Sequence, residues 1–114
     1  MNIFFWIVDL IIPITMIIIG IIFENHPPKE INYVYGYRTK RSMASQEAWD
    51  LAHKLCGDAW KTIGIILFIF VVVEKLIVQI DPASLSLINV GISLIALIAP
   101  TFFIERKLKD RFGK

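Results

Sequence analysis

Cysteine occurs once in this chain of 114 residues, at Cys56, and histidine twice, at His26 and His53. A single thiol excludes an intramolecular disulfide and any multi-thiolate metal site, and Cys56 is read as a small buried hydrophobe rather than a nucleophile. The two histidines stand 27 positions apart with no spacing pattern to join them, so His26 is read as a solvated loop residue and no metal or other cofactor is expected. Charge is scarce too: Lys, Arg, Asp and Glu make up 19% of the chain, with a formal net charge of +2. There is no phosphate-binding glycine loop and no nucleophile beside a base. The opening MNIFFWIVDL lacks a basic leader, and no small-x-small cleavage site follows it, so it reads as a retained membrane helix rather than a cleaved signal.

What the chain has in abundance is apolar surface. Hydrophobic residues make up 56% of it and the mean hydropathy is +0.65, beyond the usual range for a water-soluble domain. They gather into three blocks, and a helix needs roughly 20 residues to cross a hydrocarbon core of about 30 Å. The expectation is an all-α fold: a single membrane domain over residues 1–114, a small bundle of three transmembrane helices at about 3–23, 59–80 and 83–104. An interfacial polar loop over 24–58 includes an amphipathic helical extension leading into the second span.

Each block carries polar exceptions. Asp9 lies inside the first, where a carboxylate is expensive unless it faces the protein interior, although so near the chain start it can also reach the interface. Pro13 removes a backbone hydrogen bond from the same helix. The pair Pro27-Pro28 stops the helix. On the second helix Trp49, His53, Cys56 and Trp60 fall at i, i+4, i+7 and i+11 and share one face. Its uninterrupted apolar run covers only the 11 residues 63–73, so the span must take in Lys61, Glu74 and Lys75, with lysine snorkelling and Glu74 paired to it or facing the bundle. Asp81-Pro82 is expected to end that helix and Ser84 or Ser86 to open the third, in which Asn89 and Ser93 sit at i, i+4 and Gly91 and Ala96 allow close helix contact.

The cations are unevenly placed. Residues 24–62 hold six Lys/Arg and residues 105–114 hold five, whereas residues 74–83 hold only Lys75. By the positive-inside rule the loop and the C-terminal tail lie in the cytoplasm of a multi-pass cell-membrane protein whose N-terminus is outside.

One polar stretch, NYVYGYRTKRSMASQEAWDLAH over residues 32–53, is not explained by a need to sit in lipid. Tyr33, Tyr35 and Tyr37 alternate, as in an extended segment with phenols at headgroup level, and Gly36 among them suggests a positive φ or a close backbone approach. Arg38, Lys40 and Arg41 form a cationic cluster suited to topology and to anionic lipid. Ser42 or Ser45 can cap the following helix, with Glu47 in its first turn. The run Asn32, Tyr35-Gly36-Tyr37-Arg38-Thr39, Ser42, Ser45 and Trp49 resembles the signature of the SdpI family of bacterial integral membrane proteins. The resemblance implies a relation to immunity proteins that protect producing cells from a secreted, membrane-active peptide toxin. It also implies that these nine residues form the ligand- or partner-binding surface.

Three functions are expected in competition. The first is resistance to a hydrophobic peptide toxin, by binding it or shielding the bilayer. The second is a regulatory module that docks a cytosolic or membrane partner through residues 32–53. The third is a small membrane enzyme in which Arg38 holds an anion and Asp50 or His53 acts as acid or base. Supporting positions are Asp50, His53, Glu74, Asp9 and Asn89, with Asp50 or Glu74 expected to pair with Arg38. Besides the lipid bilayer, the expected partners are the peptide and a second copy in a homodimer. Nucleic acid is not expected, because no recognition helix accompanies the cations.

Overall fold

A computed structural model describes residues 3–113 and contains three helices in chain order: α1 (Ile3–Asn25), α2 (Gln46–Ile77) and α3 (Pro82–Phe112). They pack side by side into a body of 49 × 24 × 21 Å. At about 1.5 Å per residue, α2 alone runs the length of the long axis.

Local signals set most of the boundaries. Ser45 caps α2, its hydroxyl accepting from the Ala48 N–H at 3.0 Å. Between α2 and α3 the structure departs from expectation. The second helix stops at Ile77, four residues before Asp81, and Asp81 opens α3: its carboxylate accepts from the Ser84 N–H at 3.0 Å with Pro82 in the first turn. A carboxylate before a proline is an N-cap followed by a residue whose missing N–H costs nothing there. The third helix also outlasts its apolar block. It continues through the basic tail to Phe112 because Ile104 and Leu108 keep its inward stripe buried, and Gly113 ends it in a left-handed conformation.

α1 and α2 meet along a glycine seam. A Cβ on Gly20 would lie 2.5 Å from the Lys61 backbone nitrogen, and one on Gly57 would lie 3.0 Å from the Glu24 backbone nitrogen. Gly64, seven residues after Gly57, faces Ile17 in the same way. Gly91, expected to serve this purpose, has nothing within 4 Å. The close approach therefore belongs to α1 and α2, and Gly91 lies on the exposed face of α3.

Two apolar clusters fill the interior. Phe23, Ala48, Ala52, Cys56, Ile104 and Leu108 form one beneath the interhelical loop, and Met16, Leu67 and Val71 form the other farther along the bundle. Outside them the surface is apolar as well: Ile66, Ile69, Ile95 and Phe102 are 62%, 57%, 69% and 75% exposed. Two helices, α1 and α3, are long and apolar enough to cross a membrane, and only 22% of the most apolar stretch of each is buried. A core helix of a water-soluble protein would be mostly covered, so lipid is the solvent that suits these faces. α2 does not reach that standard by composition, because its apolar run is short and ends at Glu74 and Lys75.

Candidate functional site

The loop between α1 and α2 is built by the motif residues themselves. Asn32 opens it, its side-chain oxygen accepting from the Val34 and Tyr35 N–H groups at 3.0 and 2.7 Å. Gly36 then takes φ +116°, and a Cβ there would stand 2.6 Å from His53 Nε2 and 3.2 Å from the Trp49 ring. Both halves of the expectation for this glycine hold, positive φ and close approach. The turn brings the Tyr37 N–H onto His53 Nε2 at 2.8 Å, while His53 Nδ1 lies 2.7 Å from the Trp49 carbonyl. Since Nε2 accepts, Nδ1 carries the proton and the ring is neutral. Burial holds its pKa below the ordinary histidine value, against smaller opposing effects of the Trp49 carbonyl and Asp50. Trp49 packs on the same ring, centroids 4.3 Å apart, and donates its indole N–H to the Pro28 carbonyl at 2.7 Å.

The next turn closes on Glu105 of α3. Tyr37 and Thr39 donate their hydroxyls to Glu105 Oε2 at 2.7 and 2.8 Å, and Arg41 Nη1 lies 3.4 Å from Oε1. Ser42 is fully buried; its hydroxyl accepts from the Thr39 N–H at 2.8 Å and donates to the Tyr37 carbonyl at 2.9 Å. Burial, seconded by the Glu105 carboxylate, pushes the Tyr37 phenol well above its usual range, so it remains a donor. Burial likewise raises the Cys56 thiol to about 12, which keeps it inert.

Under this loop lies a cleft of about 400 Å³ whose walls include Ile19 and Phe23 from α1, Tyr35 and Arg38 from the loop, Trp60 from α2 and Thr101 from α3. Arg38 crosses its own loop to donate to the Tyr33 carbonyl at 2.6 Å. It does not pair with Asp50 or Glu74 as expected. Asp50 accepts from Gln46 at 2.8 Å, and Glu74 belongs to the far end of α2. The carboxylate at the centre of the site is Glu105, which the sequence reading missed. Its only local sign is that it is the first charge after the third apolar block, an acid heading a basic tail.

The profile of the SdpI/YfhL protein family matches residues 29–104, from the loop almost to Glu105. The chain belongs to the SdpI/YfhL family. It is 44% identical over 52 residues to "Uncharacterized protein YfhL" of Bacillus subtilis (strain 168), a stretch covering 46% of this chain and 47% of that protein. The match thus spans about half the length of that relative. No solved structure matches the chain.

The SdpI/YfhL signature is thereby resolved into parts. Asn32, Gly36, Tyr37, Thr39, Ser42, Ser45 and Trp49 form and anchor the loop, and His53 joins them. Gly36, Tyr37 and Thr39 also line the cleft, together with Tyr35 and Arg38, whose hydrogen bonds stay within the loop; Tyr35 is 47% exposed. The tyrosines do not all reach outward, since Tyr37 turns in to Glu105.

Asp9 and Asn89 belong to a second polar cluster at the opposite end of the bundle. Of the two readings of Asp9 the interior one holds: it is 1% exposed, with Lys75 Nζ 2.6 Å and Asn89 Nδ2 3.0 Å from Oδ2, and Ser86 donating to Oδ1. Lys75 turns inward instead of snorkelling, its Nζ 4.9 Å from the Trp6 ring centroid. Glu74 is not its partner. A buried ion pair with two further donors ties the three helices together.

Proposed function

We propose that this SdpI/YfhL-family chain is a three-span protein of the cell membrane that confers resistance to a secreted, membrane-active peptide by holding an apolar segment of it in the motif cleft. The observation that carries this reading is the 400 Å³ cleft, whose aromatic and aliphatic walls come from α1 and α2, with Thr101 of α3 closing it and the motif loop as its roof. Apolar walls with a few polar groups at the rim are the usual composition of a site for a hydrophobic ligand. Arg38 at the rim offers a cation to a backbone carbonyl or a terminal carboxylate.

The third span is supported by the exposed apolar face of α2, where Leu76 and Ile77 are 64% and 70% exposed, and by the pairing of Lys75 with Asp9, which removes a free charge from that segment. The orientation with the loop and C-terminal end in the cytoplasm is supported by the cation distribution, eleven against one, the one being that same paired Lys75. In a Cys56→Ala background, Lys40→Cys should react with a membrane-impermeant thiol reagent only after the cells are opened, and Ser84→Cys in intact cells. The reverse pattern would overturn the orientation.

The function is tested by survival. Sensitive cells expressing the chain should withstand a membrane-active peptide better than cells without it, and Tyr35→Ala with Trp60→Ala should remove the protection while membrane insertion persists. Unchanged killing by the peptide with the native chain inserted would reject the reading. A second reading, docking of a protein partner, is favoured by the loop tip, where Tyr33 and Val34 are 84% and 88% exposed. Loss of protection with Tyr33→Ser and Val34→Ser but not with the cleft variants would select it.

A further inference from the structure

Glu105 separates two hollows. Its Oε2 holds Tyr37 and Thr39 on the side of the motif cleft; its Oε1 faces Arg41, where Lys40, Arg41, Ala44 and Glu105 line a second hollow of about 430 Å³. The Arg41 contact is long, 3.4 Å, and the guanidinium Nε is buried without a hydrogen-bond partner. Lys40 is exposed and has no ion-pair partner among the described residues. Arg41 therefore leans on a carboxylate that two hydroxyls already occupy, Lys40 beside it pairs with none, and the hollow is left short of an anion.

A groove on the helix that carries Glu105 indicates what the anion is attached to. Leu94, Ile95, Ile98, Ala99 and Phe102 line an apolar groove of about 310 Å³ on the outward face of α3. Leu94, Ile98 and Phe102 step by four, and Glu105 follows Phe102 by three, so the groove runs along the helix toward the dibasic hollow. It lies in a helix long and apolar enough to cross a membrane, with Ile98 54% exposed. A greasy channel ending at two cations has the amphipathic order of a phospholipid, and the planar fork of arginine matches a phosphate.

We propose that Lys40, Arg41 and the α3 groove form a site for one anionic phospholipid, its phosphodiester on the two cations and an acyl chain along Leu94, Ile98 and Phe102. The site stands on the far side of Glu105 from the motif cleft and does not depend on a peptide entering that cleft. Arg106, Lys107 and Lys109 near the end of α3 add only diffuse attraction to the same leaflet.

The test uses the full chain in bilayer discs of phosphatidylcholine and phosphatidylglycerol in equal parts, with retained lipid counted by native mass spectrometry. The native protein should retain phosphatidylglycerol with a severalfold preference. Lys40→Gln with Arg41→Gln should abolish that preference, and Lys107→Gln with Lys109→Gln should leave it intact. Ala99→Trp, which fills the groove and keeps both cations, should weaken retention severalfold without changing the helical circular dichroism. Excess soluble glycerol phosphate should not displace the lipid. Equal loss in both double variants would mean diffuse surface charge and would overturn the site, as would displacement by glycerol phosphate. Should the Lys40, Arg41 variant fail to fold, an unchanged preference in Ala99→Trp overturns it equally.

Discussion

A single carboxylate organises the motif loop. Glu105 receives the Tyr37 and Thr39 hydroxyls and faces Arg41, joining three loop residues to a helix more than sixty positions away. Removing it strands two half-buried hydroxyl donors, and hydrogen bonds to a charged acceptor are worth about 1.5–3 kcal/mol each. Glu105→Ala should therefore destabilise the protein by about 3 kcal/mol in a detergent unfolding titration, with Glu105→Gln costing less because it still accepts. Equal stability of Glu105→Ala and the native chain would mean the loop is held by other contacts. His53 gives a second residue-scale prediction. Its folded-state pKa lies below the unfolded value near 6.5, because burial disfavours the charged ring, and Nε2 must stay unprotonated to accept from Tyr37. A depressed basic group binds more protons unfolded than folded, so its share of stability is whole above pH 6.5 and declines as pH falls through that value. The melting temperature should drop between pH about 7.5 and about 5.5, and His53→Gln should flatten that slope. An identical slope in the variant would assign the dependence elsewhere.

Among the elements, α2 bears the architecture. Its first half is amphipathic and carries Trp49, His53 and Cys56 inward beneath the loop, and its second half presents branched apolar side chains outward. α1 lies against it so closely that glycine is required at the crossing. Gly20→Leu would drive a side chain into the Lys61 backbone, which cannot swing aside, and should destabilise the bundle by about 3 kcal/mol or prevent its assembly. Gly91→Leu on α3 meets open space and should stay within about 0.5 kcal/mol of native in the same assay. Comparable damage from both would argue that Gly91 packs against a second copy of the chain.

Across the whole molecule, the bundle has one polar cluster at each end and an apolar middle formed by Met16, Leu67 and Val71. The end opposite the motif is fastened by Asp9 and Lys75, whose side chains are 0% and 6% exposed. Lys75→Met alone leaves a buried carboxylate without its cation and should cost about 3–5 kcal/mol. Adding Asp9→Asn removes that charge and should recover most of the loss. If the double variant is no more stable than Lys75→Met, the two side chains act independently.

Composition and local pattern were enough to indicate helices suited to lipid, the placement of positive charge in the loop, a serine cap at Ser42 or Ser45, of which the structure uses Ser45, and the need for glycine between Tyr35 and Tyr37. Each of these depends on residues near one another in the chain or on bulk transfer of side chains out of water. The role of Glu105, the pairing of Asp9 with Lys75, the inward turn of Tyr37 and the glycines that seat α1 on α2 were decided only by tertiary structure. They join residues on different helices, and a lone carboxylate or glycine in a hydrophobic run has no local signature of the partner it will meet. Once a helix is apolar on most faces, its periodicity no longer marks which face turns inward; packing against the other two chooses.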